Sequence, residues 1–234
     1  VRFSPLPKAA NLAGAYLICQ ALYLFSGTSF APMISAAALP VLMDTETIIY
    51  PISAVTMTAL TVLAQYILEK SGLYEHEDFS PIPRPDRFGI LSAAVRTVFA
   101  ALLAFPLIHF GLNFCIAPPL LVAFTEFSNP ASGARKKPLK TMLIIAACAL
   151  SGALFRWSLC VLLGLPLTLA AVLAVLAALA IMRLAGQYIP PARALAVLPM
   201  IIPQETLLIY PLEILAGGCC FYACGTVFSQ KKNR

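Results

Sequence analysis

The hydrophobic positions of this chain gather into long runs, and polar residues fill the gaps between them. Six runs, roughly 9–27, 47–68, 88–112, 141–160, 165–187 and 205–228, are long enough as helix to span the hydrocarbon of a bilayer. Three shorter runs, 28–43, 113–127 and 188–203, lie between them and hold only 15 or 16 residues each. As helix such a run covers about 23 Å, too little for an upright crossing. Each short run carries proline near its start: Pro32, Pro118-Pro119 and Pro190-Pro191. Proline suits the first turn of a helix, where its missing N–H is no loss. The pattern therefore predicts span, half-helix, span, three times over, in units of about 9–69, 88–160 and 165–228. The fold class this predicts is all-α, a single polytopic transmembrane bundle of three repeated units. Residues 69–87 form a polar connector between the first two.

The repeat is visible in letters as well. Residues 39–52 read LPVLMDTETIIYPI and residues 198–212 read LPMIIPQETLLIYPL. With one gap, Leu39/Leu198, Pro40/Pro199, Glu46/Glu205, Thr47/Thr206, Tyr50/Tyr210 and Pro51/Pro211 are identical. The middle unit keeps the Ala-Pro start, Ala117-Pro118 against Ala31-Pro32, and an acidic residue, Glu126. Internal repeats with interrupted helices mark many transporter folds, with the site at the repeat interface.

Composition agrees with the pattern. Of 234 residues, 60% are hydrophobic and 11% charged, and mean hydropathy is +0.87. A soluble domain averages about 45–50% apolar and about 25% charged residues. An ordinary cytosolic enzyme, a disulfide scaffold and a disordered tail are excluded. The nineteen prolines point to broken helices around a protein-lined interior, since a bilayer tolerates freed backbone groups only there.

The net charge of +6 changes the topology more than the function. Most basic residues sit between apolar runs, as the positive-inside rule places them, so nucleic acid is not an expected partner. With six spans, eight Lys and Arg residues share the side of both termini against four opposite; with nine crossings the split is ten to two. Segment length favours six spans with three re-entrant half-helices, and both arrangements put the basic tail in the cytoplasm. The expected location is a bacterial inner (plasma) membrane. Arg2 and Lys8 precede a run with no small-residue cleavage site, so it reads as a span rather than a signal peptide. All seven cysteines lie within apolar stretches and His76 and His109 are far apart; no metal site and no cofactor is expected.

Ionisable residues at membrane depth are costly and face a partner or a cavity. The candidates are Arg96, Glu126, Arg156, Arg183, Arg193, Glu205 and Glu213. Arg156 and Arg183 stand near span ends, where snorkelling explains them. Glu46, Glu126, Glu205 and Arg96 are candidate charge or proton sites, with helix capping the commoner role for Glu46 and Glu205. Three half-helix N-termini converging near the midplane would make a site for a small anion. Its residues would be Pro32, Pro118, Pro119, Asn129, Pro190, Pro191 and Arg193, with the Arg135/Lys136/Lys137 loop adding positive potential near the mouth.

The stretch Tyr188-Ile189-Pro190-Pro191-Ala192-Arg193-Ala194-Leu195 resembles the signature of the HPP family of integral membrane proteins. Upstream, Ala117 to Phe127 followed by Ser128-Asn129-Pro130 and Lys137-Pro138 is similar to that family's apolar segment and proline-containing loop. The resemblance covers roughly residues 110–228, with Ile189 where the family has histidine. It implies a membrane scaffold and, through plastid and cyanobacterial members associated with nitrite transport, a small anion as substrate. A mechanism that needs the motif imidazole could not operate at Ile189. The leading expectation is a transporter or channel-like protein for a small solute. The alternative is a scaffold or complex subunit, in which small-residue faces such as Gly217-Gly218 and the Ala-rich 170–180 pack against other helices or another copy. No catalytic motif supports an intramembrane enzyme.

Overall fold

The computed structural model describes residues 6–27, 32–45, 47–74, 87–129 and 132–229. Within them the chain is all helix and turn, with no strand. Ten α-helices follow in order: α1 Lys8–Phe25, α2 Pro32–Leu42, α3 Ile49–Lys70, α4 Arg87–His109, α5 Pro118–Ser128, α6 Gly133–Lys136, α7 Pro138–Phe155, α8 Leu167–Ala185, α9 Pro190–Val197 and α10 Tyr210–Ser229. Among the described residues four helices are long and apolar enough to cross a membrane: Ile49–Lys70, Gly89–His109, Pro138–Leu162 and Leu167–Ala185. The protein is an all-α integral membrane bundle. Glu46, Pro130, His76 and the basic tail lie outside the described residues.

The short helices begin at the prolines that predicted them: α2 at Pro32, α5 at Pro118 and α9 at Pro190. The residue before each described start is pushed out of the helical region by the proline ring, Ala117 to ψ 139° and Ile189 to ψ 96°. Their ends differ. α2 runs through Pro40 to Leu42, whereas α9 stops at Val197 and gives way to a 3₁₀ turn, Leu198–Met200, around the equivalent Pro199. The third half-helix is thus shorter than the apolar run 188–203 implied. α8 ends on Gly186 at φ +57°, its N–H bonded to the Arg183 carbonyl and that of Gln187 to the Met182 carbonyl. A left-handed residue is needed there to turn the chain into α9, and glycine adopts it without strain.

α5 forms the centre. Ten of its eleven residues are buried, Glu126 being the exception. α2, α9 and α10 pack around it. α1 lies against α4 and α2, while α7 contacts α8, α9 and α10. Aromatic pairs stitch α10 to the centre: Phe124 with Phe221 at 5.1 Å, Phe127 with Tyr222 at 5.4 Å and Phe114 with Tyr210 at 5.5 Å between ring centroids. Units two and three exchange their last helices. α7, which closes unit two, covers α9 of unit three, and α10, which closes unit three, covers α5 of unit two. Glycine permits both crossings: a Cβ on Gly152 would stand 2.0 Å from the Ala196 carbonyl oxygen, and one on Gly217 2.0 Å from that of Cys115.

The repeated Tyr-Pro pairs perform one task twice. The Tyr50 hydroxyl donates to the Ala36 carbonyl and the Tyr210 hydroxyl to the Leu195 carbonyl, each at 2.7 Å. In the alignment of the two units Ala36 and Leu195 are equivalent positions. Each tyrosine ties the start of the third helix back onto its own unit's half-helix.

Candidate functional site

The face of α1 that turns inward carries Ala9, Leu12, Tyr16, Cys19 and Gln20, the three-and-four spacing of one helical stripe. Tyr16 and Gln20, one turn apart, bring polar groups to a buried face. Arg96 comes from the middle of α4 and Thr125 from α5. All four are buried, Gln20 to 1% exposure and Arg96 to 8%. The Gln20 amide joins them: its Oε1 accepts from the Arg96 guanidinium at 3.3 Å and its Nε2 donates to the Thr125 hydroxyl at 3.2 Å. Thr125 in turn donates to the Leu121 carbonyl at 3.3 Å.

The pattern of satisfied and unsatisfied groups gives the cluster its chemistry. Arg96 Nε and the Tyr16 hydroxyl have no hydrogen-bond partner. No carboxylate among the described residues stands within 4.0 Å of Arg96; the ion pair there is Lys8–Asp44, elsewhere. A guanidinium carries five N–H donors and no acceptor, and burying it unpaired costs several kcal/mol even after relaxation. The cluster therefore offers unpaired donors and a positive charge, while the Gln20 oxygen and the Thr125 hydroxyl are already engaged. That is the chemistry of an anion site. Arg96 was a candidate from sequence alone. Tyr16, Gln20 and Thr125 were not, although their signal was present: an amide and a phenol one turn apart on the apolar stripe of the first run.

The half-helix residues are distributed differently. Pro118 and Pro119 are buried at the head of α5, and Pro191 is buried at the head of α9, whereas Pro32 and Pro190 are exposed. A cleft of about 570 Å³ opens beside the start of α9, lined by Leu179, Met182, Arg183, Gly186, Gln187 and Tyr188. Arg193 reaches back to this rim. Its guanidinium donates to the Tyr188 hydroxyl and lies 5.0 Å from the centre of the Tyr188 ring. Asn129 is exposed just past the end of α5. None of the seven predicted site residues, Pro32, Pro118, Pro119, Asn129, Pro190, Pro191 and Arg193, is among the residues that line this cleft.

The remaining candidates have structural partners or face outward. Glu126 is half-buried and accepts from the Ser132 hydroxyl at 2.9 Å. Glu205 is exposed. Glu213, buried in the first turn of α10, accepts from the Phe114 backbone N–H at 2.9 Å. Arg156, from a π-helical continuation of α7, Arg156–Leu162, donates to the carbonyls of Pro199 and Ile202. Arg135 clamps the ends of two helices, donating to the carbonyls of Phe127, Gly225 and Thr226. Among the described residues no three of His, Cys, Asp and Glu come together as a metal site would require.

No family model matches the chain, and neither a curated protein nor a solved structure does.

Proposed function

We propose that this integral membrane protein carries a small anion across the bilayer, with Arg96 as its interior counter-charge and Tyr16, Gln20 and Thr125 around it. The observation that supports this reading is a guanidinium at 8% exposure, in the middle of a membrane helix, with no carboxylate within reach among the described residues. A planar monovalent anion suits a guanidinium, whose forked N–H groups form two parallel hydrogen bonds to it. Nitrite is the anion that the resemblance to the HPP family brings forward. The cluster is occluded in this conformation, so exchange requires α1 and α4 to part, as alternating access would have them do. The basic cleft at Arg183 and Arg193 would collect the anion on one side. A bacterial plasma membrane with the tail in the cytoplasm belongs to the same reading.

Thermal melting of the purified protein tests it. Nitrite, nitrate or chloride at 100 times its dissociation constant stabilises the folded state by about 2.7 kcal/mol. The melting temperature should rise with the bound anion in the native protein and stay flat in Arg96→Gln. A flat response of the native protein to the whole panel would remove the proposal.

A further inference from the structure

α3 is a 22-residue apolar helix of which no residue is buried. Lipid tails are as apolar as leucine, so exposure of an apolar face does not by itself call for a protein partner. Two further observations do. The first is a matching gap on α2. Met33 and Ala37 are half-buried and Ala36 is exposed, whereas their equivalents in α9, Ala192, Leu195 and Ala196, are completely buried. In unit three that face is closed by α7, with Gly152 seated on the Ala196 carbonyl. The second is the exchange itself. Units two and three each lend their last helix to the other's half-helix, which leaves unit one with a helix to lend and a half-helix to cover.

A helix and a face that complete each other across identical units form a self-complementary surface, the condition for a two-fold interface. We propose that α3 packs on α2 of a second copy, and the partner's α3 on this α2, so that two first units repeat the exchange seen within the chain between units two and three. The surface is large enough. A 22-residue helix is about 33 Å long and 10 Å across, so half its lateral surface is about 500 Å². The α2 faces that they cover are only 11 residues long, about 17 Å, so the two contacts together bury about 1,000 Å², the least that a specific interface requires.

The equivalence of Tyr50 and Tyr210 also picks the face. Ile214, Gly218, Phe221 and Gly225 are the positions of α10 turned to α5 or its neighbours. Their counterparts on α3 are Ala54, Thr58, Thr61 and Gln65, which share one side. Ala54 and Thr58 line a shallow groove there, and the Thr58 and Thr61 hydroxyls are already bonded to the carbonyls one turn back. Such a surface admits close approach of another helix without leaving a polar group unsatisfied.

Subunit counting by single-molecule photobleaching of the full chain in lipid bilayers tests the proposal. The native protein should bleach in two steps at dilutions where Thr58→Trp and Ala36→Trp bleach in one, a loss of affinity of at least tenfold. Leu63→Trp, on the opposite side of α3, should keep two steps. All three positions are exposed within one copy, so circular dichroism should show the same helix content throughout. A native protein that bleaches in one step overturns the proposal, as does a dimer indifferent to both Thr58→Trp and Ala36→Trp.

Discussion

The charged residues of this chain divide by what surrounds them. Arg135 and Arg156 lie where helices end, and a helix end leaves carbonyls without intrahelical partners. Arg156 serves the carbonyls of Pro199 and Ile202, which the prolines after α9 release from any further helix. Hydrogen bonds from a charged donor contribute about 1.5–3 kcal/mol each, so Arg156→Ala should lower the melting temperature of the purified protein clearly, with no change in any anion response. Arg96 is the contrary case, a donor with its own Nε unsatisfied. The sequence marked both residues as charges within apolar runs and could not separate them, because the separation depends on carbonyls and carboxylates from distant segments. Tyr16, Gln20 and Thr125 escaped for the same reason. Gln20 and Thr125 are 105 residues apart, and only the fold makes them neighbours.

At the scale of helices, the readable part was the part that proline dictates. A ring that fixes φ and lacks an N–H suits the first turn of a helix, so Pro32, Pro118 and Pro190 carried the half-helices, whereas Pro40 and Pro106 lie inside α2 and α4. The repeat in letters was equally informative. Tyr50 and Tyr210 match in sequence and then in hydrogen bond, to Ala36 and Leu195. Tyr210 is buried and Tyr50 only partly so. Tyr210→Phe should therefore cost about 1–3 kcal/mol by leaving a buried acceptor unpaired, and Tyr50→Phe about 0.5 kcal/mol, measured by denaturation in mild detergent. Helix crossings were not readable, because they depend on which glycine meets which backbone. Gly152→Ala places a methyl against the Ala196 carbonyl and should cost about 1–3 kcal/mol, the range for overpacking. Gly14→Ala, in α1 with nothing within 4 Å, should instead stabilise by about 0.5–1 kcal/mol, since it relieves the entropy of a helical glycine.

For the whole molecule, the three units are not equivalent in their surroundings. Units two and three are interlocked through α7 and α10, and the central α5 is enclosed as a result. Unit one supplies Tyr16 and Gln20 to the polar cluster, while its last helix stands apart. The half-helices settle a question of length: with 11, 11 and 8 residues they cover about 17, 17 and 12 Å as helix, far less than the hydrocarbon core. Four described helices are long and apolar enough to cross, six if α1 and α10 cross as well, and either even number puts both termini on one side. Tags at the two ends should be protected or exposed together in intact cells, and opposite accessibility would favour an odd number of crossings. In the proposed function the interior cluster handles an anion through Arg96. Flux into proteoliposomes, over a panel of nitrite, nitrate, formate and chloride, tests it most directly. Uptake of at least one of these should run well above that of empty liposomes, reduced at least tenfold in Arg96→Gln and far less in Arg193→Ala. Flux no faster than in empty liposomes, or an Arg96→Gln protein that transports as well as the native one, would contradict it.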